Sequence, residues 1–301
     1  MRETDTKTDC RRPFVVTIGE LLWDLFPDGE RLGGAPANFA VHAAGLGAES
    51  VLISRVGQDR RGQEAIRILR GRGMSVNCVQ TDADRKTGIV PVTLADGQPT
   101  YEIVEGVAWD AIEWVDSHLG ALGKADAFCF GTLAQRAPGS RCTTENLLDA
   151  LGDACLRVLD INFRQHYHSL EVVEKSLRSA DLLKLNDEEV GVLRDYVGGD
   201  RDDGQFLLGI LDRYGIERTV LTLGADGCRV IDCSVDISVS AEPQQVVNTV
   251  GAGDAFTAAF VLHQLAGHDA RTCAEMANRA GGFVTTQDSG TPVFPGGYGV
   301  F

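Results

Sequence analysis

Short apolar runs alternate with longer amphipathic stretches along most of the chain. The apolar runs have the length of buried β-strands, and the amphipathic stretches space their apolar residues as an α-helix does. This alternation predicts an α/β fold with a doubly wound, mostly parallel sheet flanked by helices. The predicted strands are 15–18, 51–56, 127–130, 157–161, 182–185 and 219–223. The predicted helices are 38–44, 62–71, 144–154, 170–179, 188–196, 204–214, 255–265 and 270–285.

Two stretches in the N-terminal third have the pattern of antiparallel hairpins. Residues 89–94 and 100–105 flank an Asp96-Gly97 pair, which is a strong tight-turn signal, and 21–26 lead into Pro27-Asp28-Gly29. Hairpins do not fit a parallel sheet, so we expect a small separate sheet. The predicted division is a small β-unit from 20–36 and 86–108, a main α/β domain from 13–19, 37–85 and 109–301, and a disordered tail at 1–12.

Composition narrows the classes of function. The 301 residues carry a formal net charge of −15, which argues against nucleic acid or an anionic membrane as a partner. No apolar run approaches the ~18 residues of a spanning helix, and the polar first twelve residues lack the apolar stretch of a signal peptide. The eight cysteines show no C-x-x-C spacing and are expected to be free thiols. We therefore expect a cytoplasmic protein.

The segment 246–256 joins a β-branched stretch to an apolar helix through two glycines. Gly251 and Gly253 let the successive amides of residues 252–254 point at one spot, where the helix dipole also favours an anion. Asp254 would repel an anion bound there, unless it takes a proton from an attacking hydroxyl. The alternative is that Asp254 is an ordinary helix N-cap. The segment alone leaves both interpretations open.

Asn248–Phe256 resembles the C-terminal signature of the ribokinase-like, pfkB-type carbohydrate kinases. Gly33–Gly47 resembles the N-terminal signature of that family, and Val56–Asp59 with Gly62 follows at the family's spacing. The resemblance extends from about residue 15 to residue 295. It implies an ATP-dependent kinase that uses Mg²⁺, with Asp254 as the base and the Gly251-Ala252-Gly253 amides as the anion site. It also implies that the small sheet is a lid over the sugar.

The sugar side of such a site needs groups that hydrogen-bond several hydroxyls at once. Asp24, Gly33, Gly34 and Asn38 offer such groups, and the matching positions in the family hold the sugar. Without the resemblance, Asp24 would be interpreted as a turn residue and Asn38 as a helix N-cap.

A second group of polar residues follows a predicted strand, where α/β sheets place ligands. Asp160, Asn162 and Arg164 alternate there as a polar row, and this D-x-N-x-R pattern resembles the fructokinase branch. The alternative is an exposed strand end with a surface salt bridge. Gln135 or Arg136, after another strand, would add to the sugar site.

The nucleotide side is predicted around another strand end. Lys184 lies there, and Asn186 with Glu189 matches the family's N-x-x-E element, which positions Mg²⁺ and phosphates, often through water. The alternative is a helix start capped by Asn186. Further predicted nucleotide contacts are Thr222, Gly224, Gly227 and Asn278.

One residue departs from the family pattern. Asn248 occupies a position where relatives often have Asp and bind a monovalent cation. A neutral amide attracts K⁺ less strongly than a carboxylate does, so activation by K⁺ is an open question.

The expected activity is phosphorylation of a primary hydroxyl of a small sugar by ATP, with fructose 6-phosphate as the product. Ribose, 2-keto-3-deoxygluconate and nucleosides are alternative substrates, and a non-catalytic sugar sensor on the same fold is a different class of function. A dinucleotide-dependent oxidoreductase is disfavoured because no G-x-G-x-x-G follows the first strand. The sequence leaves a monomer and a homodimer through the lid both open.

Overall fold

The computed structural model describes residues 11–95, 98–200 and 202–300. Residues 1–10 of the predicted tail, including Cys10, and the predicted Asp96-Gly97 turn lie outside the described residues. Arg11, which was expected to belong to the tail, forms an ion pair with Asp126 at 2.6 Å.

Most of the predicted strands are present at nearly the expected positions. In chain order the strands are β1 Phe14–Ile18, β2 Leu22–Phe26, β3 Gly29–Gly33, β4 Glu49–Gly57, β5 Val79–Asp82, β6 Gly88–Ala95, β7 Gln98–Tyr101, β8 Ala127–Phe130, β9 Leu156–Asp160, β10 Leu182–Asn186, β11 Arg218–Thr222, β12 Cys228–Asp232 and β13 Asp236–Val239. The strands that the sequence did not predict are β5, β12 and β13. All three lie toward the edges of the larger sheet.

The eight predicted helices are present, one of them clearly displaced, and a short helix at Leu119–Leu122 was not predicted. The helices are α1 Ala35–Gly45, α2 Arg60–Gly71, α3 Leu119–Leu122, α4 Pro138–Asp149, α5 Leu170–Arg178, α6 Asp187–Val197, α7 Asp203–Tyr214, α8 Ala252–Leu265 and α9 Ala270–Thr285. The predicted bounds 144–154 were wrong for α4. Its first helical residue is Pro138, whose fixed φ favours a helix start and whose missing N–H costs nothing there.

The larger sheet confirms the predicted α/β class. Its order is β13-β12-β11-β10-β9-β8-β1-β4-β5, and it is parallel except where β12 and β13 add antiparallel strands at one edge. Helices α4 to α7 pack on one face, and helices α1, α8 and α9 pack on the other. Within the described residues, no helix has both the length and the apolar character needed to span a bilayer.

The two predicted hairpins form a separate four-stranded sheet of order β3-β2-β6-β7. The strands of each hairpin are antiparallel, as expected. The hairpins join each other by a parallel pairing of β2 with β6, in which Leu22 lies opposite Gly88. The sequence signals for turns are local, so they could not predict this pairing.

The strand order of the larger sheet reverses at β1. From β1 the chain first builds β4 and β5 on one side, and later β8 to β13 on the other. Such a reversal leaves a crevice at the carboxyl ends of the strands, which is where open α/β sheets bind ligands.

Candidate active site

A cleft of about 740 Å³ lies between the small sheet and the carboxyl ends of the larger sheet. Its walls include Leu22 of β2, Val90 of β6 and Tyr101 of β7 on one side, and residues of β10 and α8 on the other. It brings together many of the predicted site residues, from both the sugar side and the nucleotide side. Those that line it are Asp24, Gly34, Asn38, Asn162, Arg164, Lys184, Asn186, Thr222, Gly251, Gly253 and Asp254.

Asp254 lies in the first turn of α8 and is not its N-cap. The cap position is Gly251, which has φ 78° and no side chain to cap the helix. The alternative interpretation of Asp254 as an N-cap is therefore wrong. A Cβ on Gly251 would lie 2.0 Å from the carbonyl oxygen of Gly290, so only glycine fits this turn.

Asn38 contacts Asp254 directly. Its Nδ2 donates a hydrogen bond to Asp254 Oδ2 at 2.9 Å, which joins α1 to the start of α8. The cap of α1 is Gly34, with φ 105°, so the interpretation of Asn38 as an N-cap is also wrong. The two sequence signatures, more than 200 residues apart in the chain, thus meet at one carboxylate.

The amides at the start of α8 differ in their partners. The Ala252 N–H donates to the carbonyl of Thr249 at 3.3 Å. The Gly253 and Asp254 N–H groups make no backbone hydrogen bond with another described residue, and both residues line the cleft. The free helix N-terminus therefore offers two amides to an anion, rather than the three expected from the sequence.

The surroundings of Asp254 suit a proton acceptor. Burial raises the pKa of its carboxyl to about 6, and the negative charge of Asp160 contributes to the increase. The hydrogen bond from Asn38 and the charges of Lys184 and Arg164 oppose this increase. A base with a pKa close to the working pH is ionised and still binds a proton well.

Lys184 and Asp160 form a buried ion pair beneath Asp254. Lys184 Nζ lies 3.1 Å from Asp160 Oδ1, and the two side chains are only 9% and 11% exposed. Thr257 donates to the other oxygen of Asp160 at 3.2 Å. Burial alone would lower the pKa of Lys184, but Asp160, Glu189 and Asp254 outweigh burial and raise it. The ammonium is therefore charged, next to the start of α8.

The predicted polar row of the D-x-N-x-R element is not a straight row. Strand β9 ends at Asp160, and Asn162 adopts a left-handed φ of 42°. Because this turn breaks the strand alternation, Asp160 points to Lys184 in the interior, whereas Asn162 and Arg164 line the cleft.

Asp24, which was predicted for the sugar side, lies in β2 of the small sheet and is partly buried. Burial raises the pKa of its carboxyl to about 6, against the nearby charges of Arg164 and Arg31. Gly33 allows close packing here, since a Cβ on it would lie 2.4 Å from Asp24 Oδ2. A Cβ on Gly34, whose φ is 105°, would lie 2.3 Å from the carbonyl oxygen of Glu20, so backbone sterics require glycine at position 34.

Glu20 is a cleft residue that the sequence prediction missed. It lies two residues after the end of β1, is 3% exposed and lines the cleft. Burial raises the pKa of its carboxyl to about 7, with Asp254 adding to the increase and Arg164 opposing it. Its position after a buried strand is the same signal that identified Asp160.

Gln135 and Arg136 make contacts outside the cleft. Gln135 donates to the Gly131 carbonyl at 2.8 Å and to Ser176 at 3.0 Å. Arg136 pairs with Asp110 at 2.7 Å, and both side chains are less than a tenth exposed. These contacts give both residues a structural role.

The N-x-x-E element forms a capped helix start, which was the alternative interpretation. Asn186 Oδ1 accepts from the Glu189 N–H, and Glu189 Oε2 accepts from the Asn186 N–H, both at 2.8 Å. The other Glu189 oxygen accepts from the Phe163 N–H at 3.1 Å. Asn186 lines the cleft beside Thr222, whereas Glu189 is buried behind it.

The remaining predicted nucleotide residues lie around the turn between β11 and β12. Gly224 and Gly227 have φ of 56° and 100°, and a Cβ on Gly227 would lie 2.1 Å from the Val239 carbonyl oxygen. Asn278 donates to the same carbonyl at 2.9 Å. None of these three residues lines the cleft.

Comparison with known proteins shows the family. The model of the pfkB family carbohydrate kinases matches residues 27–295. The chain belongs to this family. The match confirms the resemblance of the two signatures to those of the pfkB-type carbohydrate kinases.

Curated relatives and solved structures cover nearly all of this pfkB kinase. A fructokinase of Klebsiella pneumoniae is 32% identical over 295 residues, which cover 89% of this chain and 94% of that protein. A sugar kinase of Pyrococcus horikoshii, described as uncharacterized, is 31% identical over 82% of this chain and 81% of its own. Its structure in complex with ATP has a TM-score of 0.76 at 28% identity, covering 92% of this chain and 94% of that chain. A structure of fructokinase from Xylella fastidiosa with bound ATP has a TM-score of 0.84 at 20% identity, covering 93% and 95%, and shares the fold.

Proposed function

We propose that this kinase transfers the γ-phosphoryl group of ATP to a primary hydroxyl of a small sugar, and that fructose is converted to fructose 6-phosphate. The observation that carries the proposal is the position of Asp254. Its carboxylate lies in one cleft with Asp24 and Arg164 on one side and Lys184 and Asn186 on the other. A base at this place can serve an acceptor hydroxyl on one side and a phosphate donor on the other.

In the proposed reaction, Asp254 takes the proton of the attacking hydroxyl as its oxygen bonds to the γ-phosphorus, while the bond from that phosphorus to the bridging oxygen breaks and ADP leaves. The Asn38 amide, at 2.9 Å, holds the carboxylate in place for this transfer. The Gly253 and Asp254 amides and the Lys184 ammonium stabilise the negative charge on the transferring group. The chain's contribution is therefore positioning and electrostatic stabilisation, with one proton acceptor.

The residues of the N-x-x-E element fit magnesium held through water. Both Glu189 oxygens already accept backbone hydrogen bonds, and Asn186 Oδ1 accepts another. Among the described residues, no three His, Cys, Asp or Glu side chains group as metal ligands. Mg²⁺ keeps several waters when it binds phosphates, so a site with few direct protein ligands suits it. When bound, the ion would offset charge on the ATP phosphates.

Fructose is proposed because of the relatives and the sugar-side residues. A fructokinase is among the relatives at 32% identity, and Asp24 and Arg164 offer an acceptor and a donor for sugar hydroxyls. Ribose, 2-keto-3-deoxygluconate and a nucleoside are the competing acceptors. A sugar sensor without catalysis is the other class of function, and the positioned Asp254 favours the kinase.

We also propose that residues 20–36 and 86–108 act as a lid that closes over the sugar. The support is that β2, β6 and β7 contribute walls to the cleft while belonging to their own sheet. Leu22 of β2 and Val90 of β6 face the cleft, so bound sugar or the lid of a second copy would cover these apolar side chains.

The direct experiment is a coupled ADP-release assay with Mg-ATP over fructose, ribose, 2-keto-3-deoxygluconate and nucleosides. We expect fructose to give the highest kcat/KM. If another acceptor gives a higher kcat/KM, that acceptor replaces fructose as the proposed substrate, and the assignment as a kinase stands. The absence of ADP release above the sugar-free rate with every acceptor, together with measurable sugar binding, supports the sensor instead.

A further inference from the structure

The loop 288–291 packs directly behind the glycine that starts α8. The Gly290 carbonyl oxygen would lie 2.0 Å from a Cβ on Gly251. A Cβ on Gly290 would in turn lie 3.1 Å from Val250 Cγ1. The loop and the start of α8 are thus in close contact, and a shift of the loop must move Gly251 and the amides that follow it.

Three carbonyl oxygens of this loop accept hydrogen bonds from side chains. His42 Nε2 lies 3.0 Å from the Gly290 oxygen, and Arg72 Nη2 donates to the Thr291 oxygen at 2.7 Å. Asn248 Nδ2 makes a longer bond, of 3.4 Å, to the Asp288 oxygen. The loop is therefore held from α1, from the end of α2 and from the segment before α8.

His42 makes this contact as a neutral donor. A carbonyl can only accept, so Nε2 carries the proton and the buried Nδ1 has no partner among the described residues. Burial, together with the charge of Arg72, lowers the pKa of His42 to about 4, against the opposing effects of the Gly290 carbonyl and the Gly251 backbone. The ring also packs against Phe294, with a centroid distance of 5.5 Å. His42 lies one helical turn after Asn38, so one stretch of α1 contacts both Asp254 and the loop behind it.

Asn248, which contacts the 288–291 loop, is the position at which the family resemblance implies a monovalent cation. The residues present do not fit one well. Asn248 is neutral, and its Oδ1 already accepts from the Val250 N–H at 3.0 Å. Arg72 places a permanent positive charge at the carbonyl of Thr291, next to Gly290. This charge repels a monovalent cation that would bind in the same loop.

We propose that His42 and Arg72 are positioning residues that order the 288–291 loop, and through it Gly251 and the anion-binding start of α8, in place of K⁺. The inference rests on the proposed function, since it concerns the same phosphoryl-transfer site. It implies that neither nucleotide binding nor turnover depends on K⁺.

The first test uses the unmodified protein and does not require a known sugar. ADP affinity by calorimetry, with Mg²⁺ present, and the thermal unfolding midpoint are measured in potassium chloride and in tetramethylammonium chloride at equal ionic strength. We expect affinity to agree within about twofold and the midpoint to stay the same, since an ion that binds the folded state raises its stability. A clear K⁺-dependent increase in either quantity overturns the proposal, even if no sugar is ever phosphorylated.

The second test compares variants with the best acceptor from the sugar panel. His42→Leu removes the donor to Gly290, whereas His42→Gln keeps an amide N–H in reach of it. We expect kcat to fall about 10- to 100-fold in His42→Leu with the KM for sugar nearly unchanged, and His42→Gln to recover most of the loss. Equal kcat in the unmodified protein and His42→Leu, or equal loss in both variants, overturns the positioning role.

Arg72→Ala keeps the test decisive if the His42 variants fail to fold. Its matched control is Arg70→Ala, because Arg70 lies two residues earlier and is exposed. We expect Arg72→Ala to lower kcat and Arg70→Ala to leave it unchanged. If adding K⁺ to Arg72→Ala restores part of the lost kcat, the result directly supports the proposal that the Arg72 guanidinium takes the place of K⁺. Unchanged kcat in Arg72→Ala contradicts the proposal.

Discussion

Replacing Asp254 by Asn removes the proposed base and keeps the shape of its side chain. Loss of a general base lowers turnover by about 10²–10⁴-fold, which equals about 3–5 kcal/mol of transition-state stabilisation. The Gly253 and Asp254 amides and Lys184 remain in the variant, so we expect ATP affinity to change little. The effect should therefore appear in kcat and not in the nucleotide KM.

The pH profile tests the same residue in the unmodified protein. Because the pKa of Asp254 is raised to about 6, the carboxyl is protonated and inactive as a base below that pH. The value of kcat/KM should fall about tenfold per pH unit on the acid side. Asn38→Ala removes the hydrogen bond that lowers this pKa, so the acid limb should move to higher pH.

Coupled ADP release, followed from about pH 4.5 to about pH 8.5, measures the loss of turnover in Asp254→Asn and the shift of the acid limb in Asn38→Ala. This interval covers the pH range in which a carboxyl with a raised pKa titrates. Asp149→Asn is the matched control, since it removes an exposed carboxylate at the end of α4, outside the cleft. Turnover of Asp254→Asn within a few-fold of the control would show that Asp254 is not the base. An acid limb that persists unchanged in Asn38→Ala would assign the titration to another group.

Three further outcomes are expected. Asp24→Ala should raise the KM for sugar about 10- to 100-fold and leave the KM for ATP nearly unchanged, since it removes proposed hydrogen bonds to the sugar alone. Equal increases in both KM values would give Asp24 a structural role. Arg136→Met leaves the Asp110 carboxylate buried and unpaired, so urea unfolding should show a loss of about 3–5 kcal/mol, and a loss below about 1 kcal/mol would contradict the burial argument. Hydrogen exchange of residues 20–36 and 86–108 should slow when an accepted sugar is added, and it should slow more than exchange of β11 does. Equal exchange of these residues with and without sugar would argue against a closing lid.

The sequence predicted the elements that depend on local pattern. Buried strands such as 127–130 and the periodic helix 270–285 were predicted with the observed bounds, because a continuous apolar run or an uninterrupted helical period marks them. The hairpins followed from Pro27-Asp28-Gly29 and from Asp96-Gly97. Short edge strands such as β13 gave no comparable signal, since four half-exposed residues look like a loop.

The site was predicted in its composition more than in its geometry. Two glycine-rich signatures identified Asp254 and Asn38, but the bond between them joins residues 216 positions apart and depends on the packing of α1 against α8. The alternation expected for Asp160 and Asn162 failed because β9 ends sooner and Asn162 turns the chain. The role of His42 depends entirely on the tertiary position of a loop near the C-terminus, so no local pattern could reveal it.

Asp254 is proposed to enable phosphoryl transfer to a primary sugar hydroxyl. The most direct test of this role is nuclear magnetic resonance of the product formed from fructose and Mg-ATP. We expect one sugar phosphate for each ADP, with the phosphorus coupled to the methylene protons at carbon 6, and almost no product with Asp254→Asn. A phosphate on the anomeric or a secondary hydroxyl, or equal product from Asp254→Asn, would contradict this proposal.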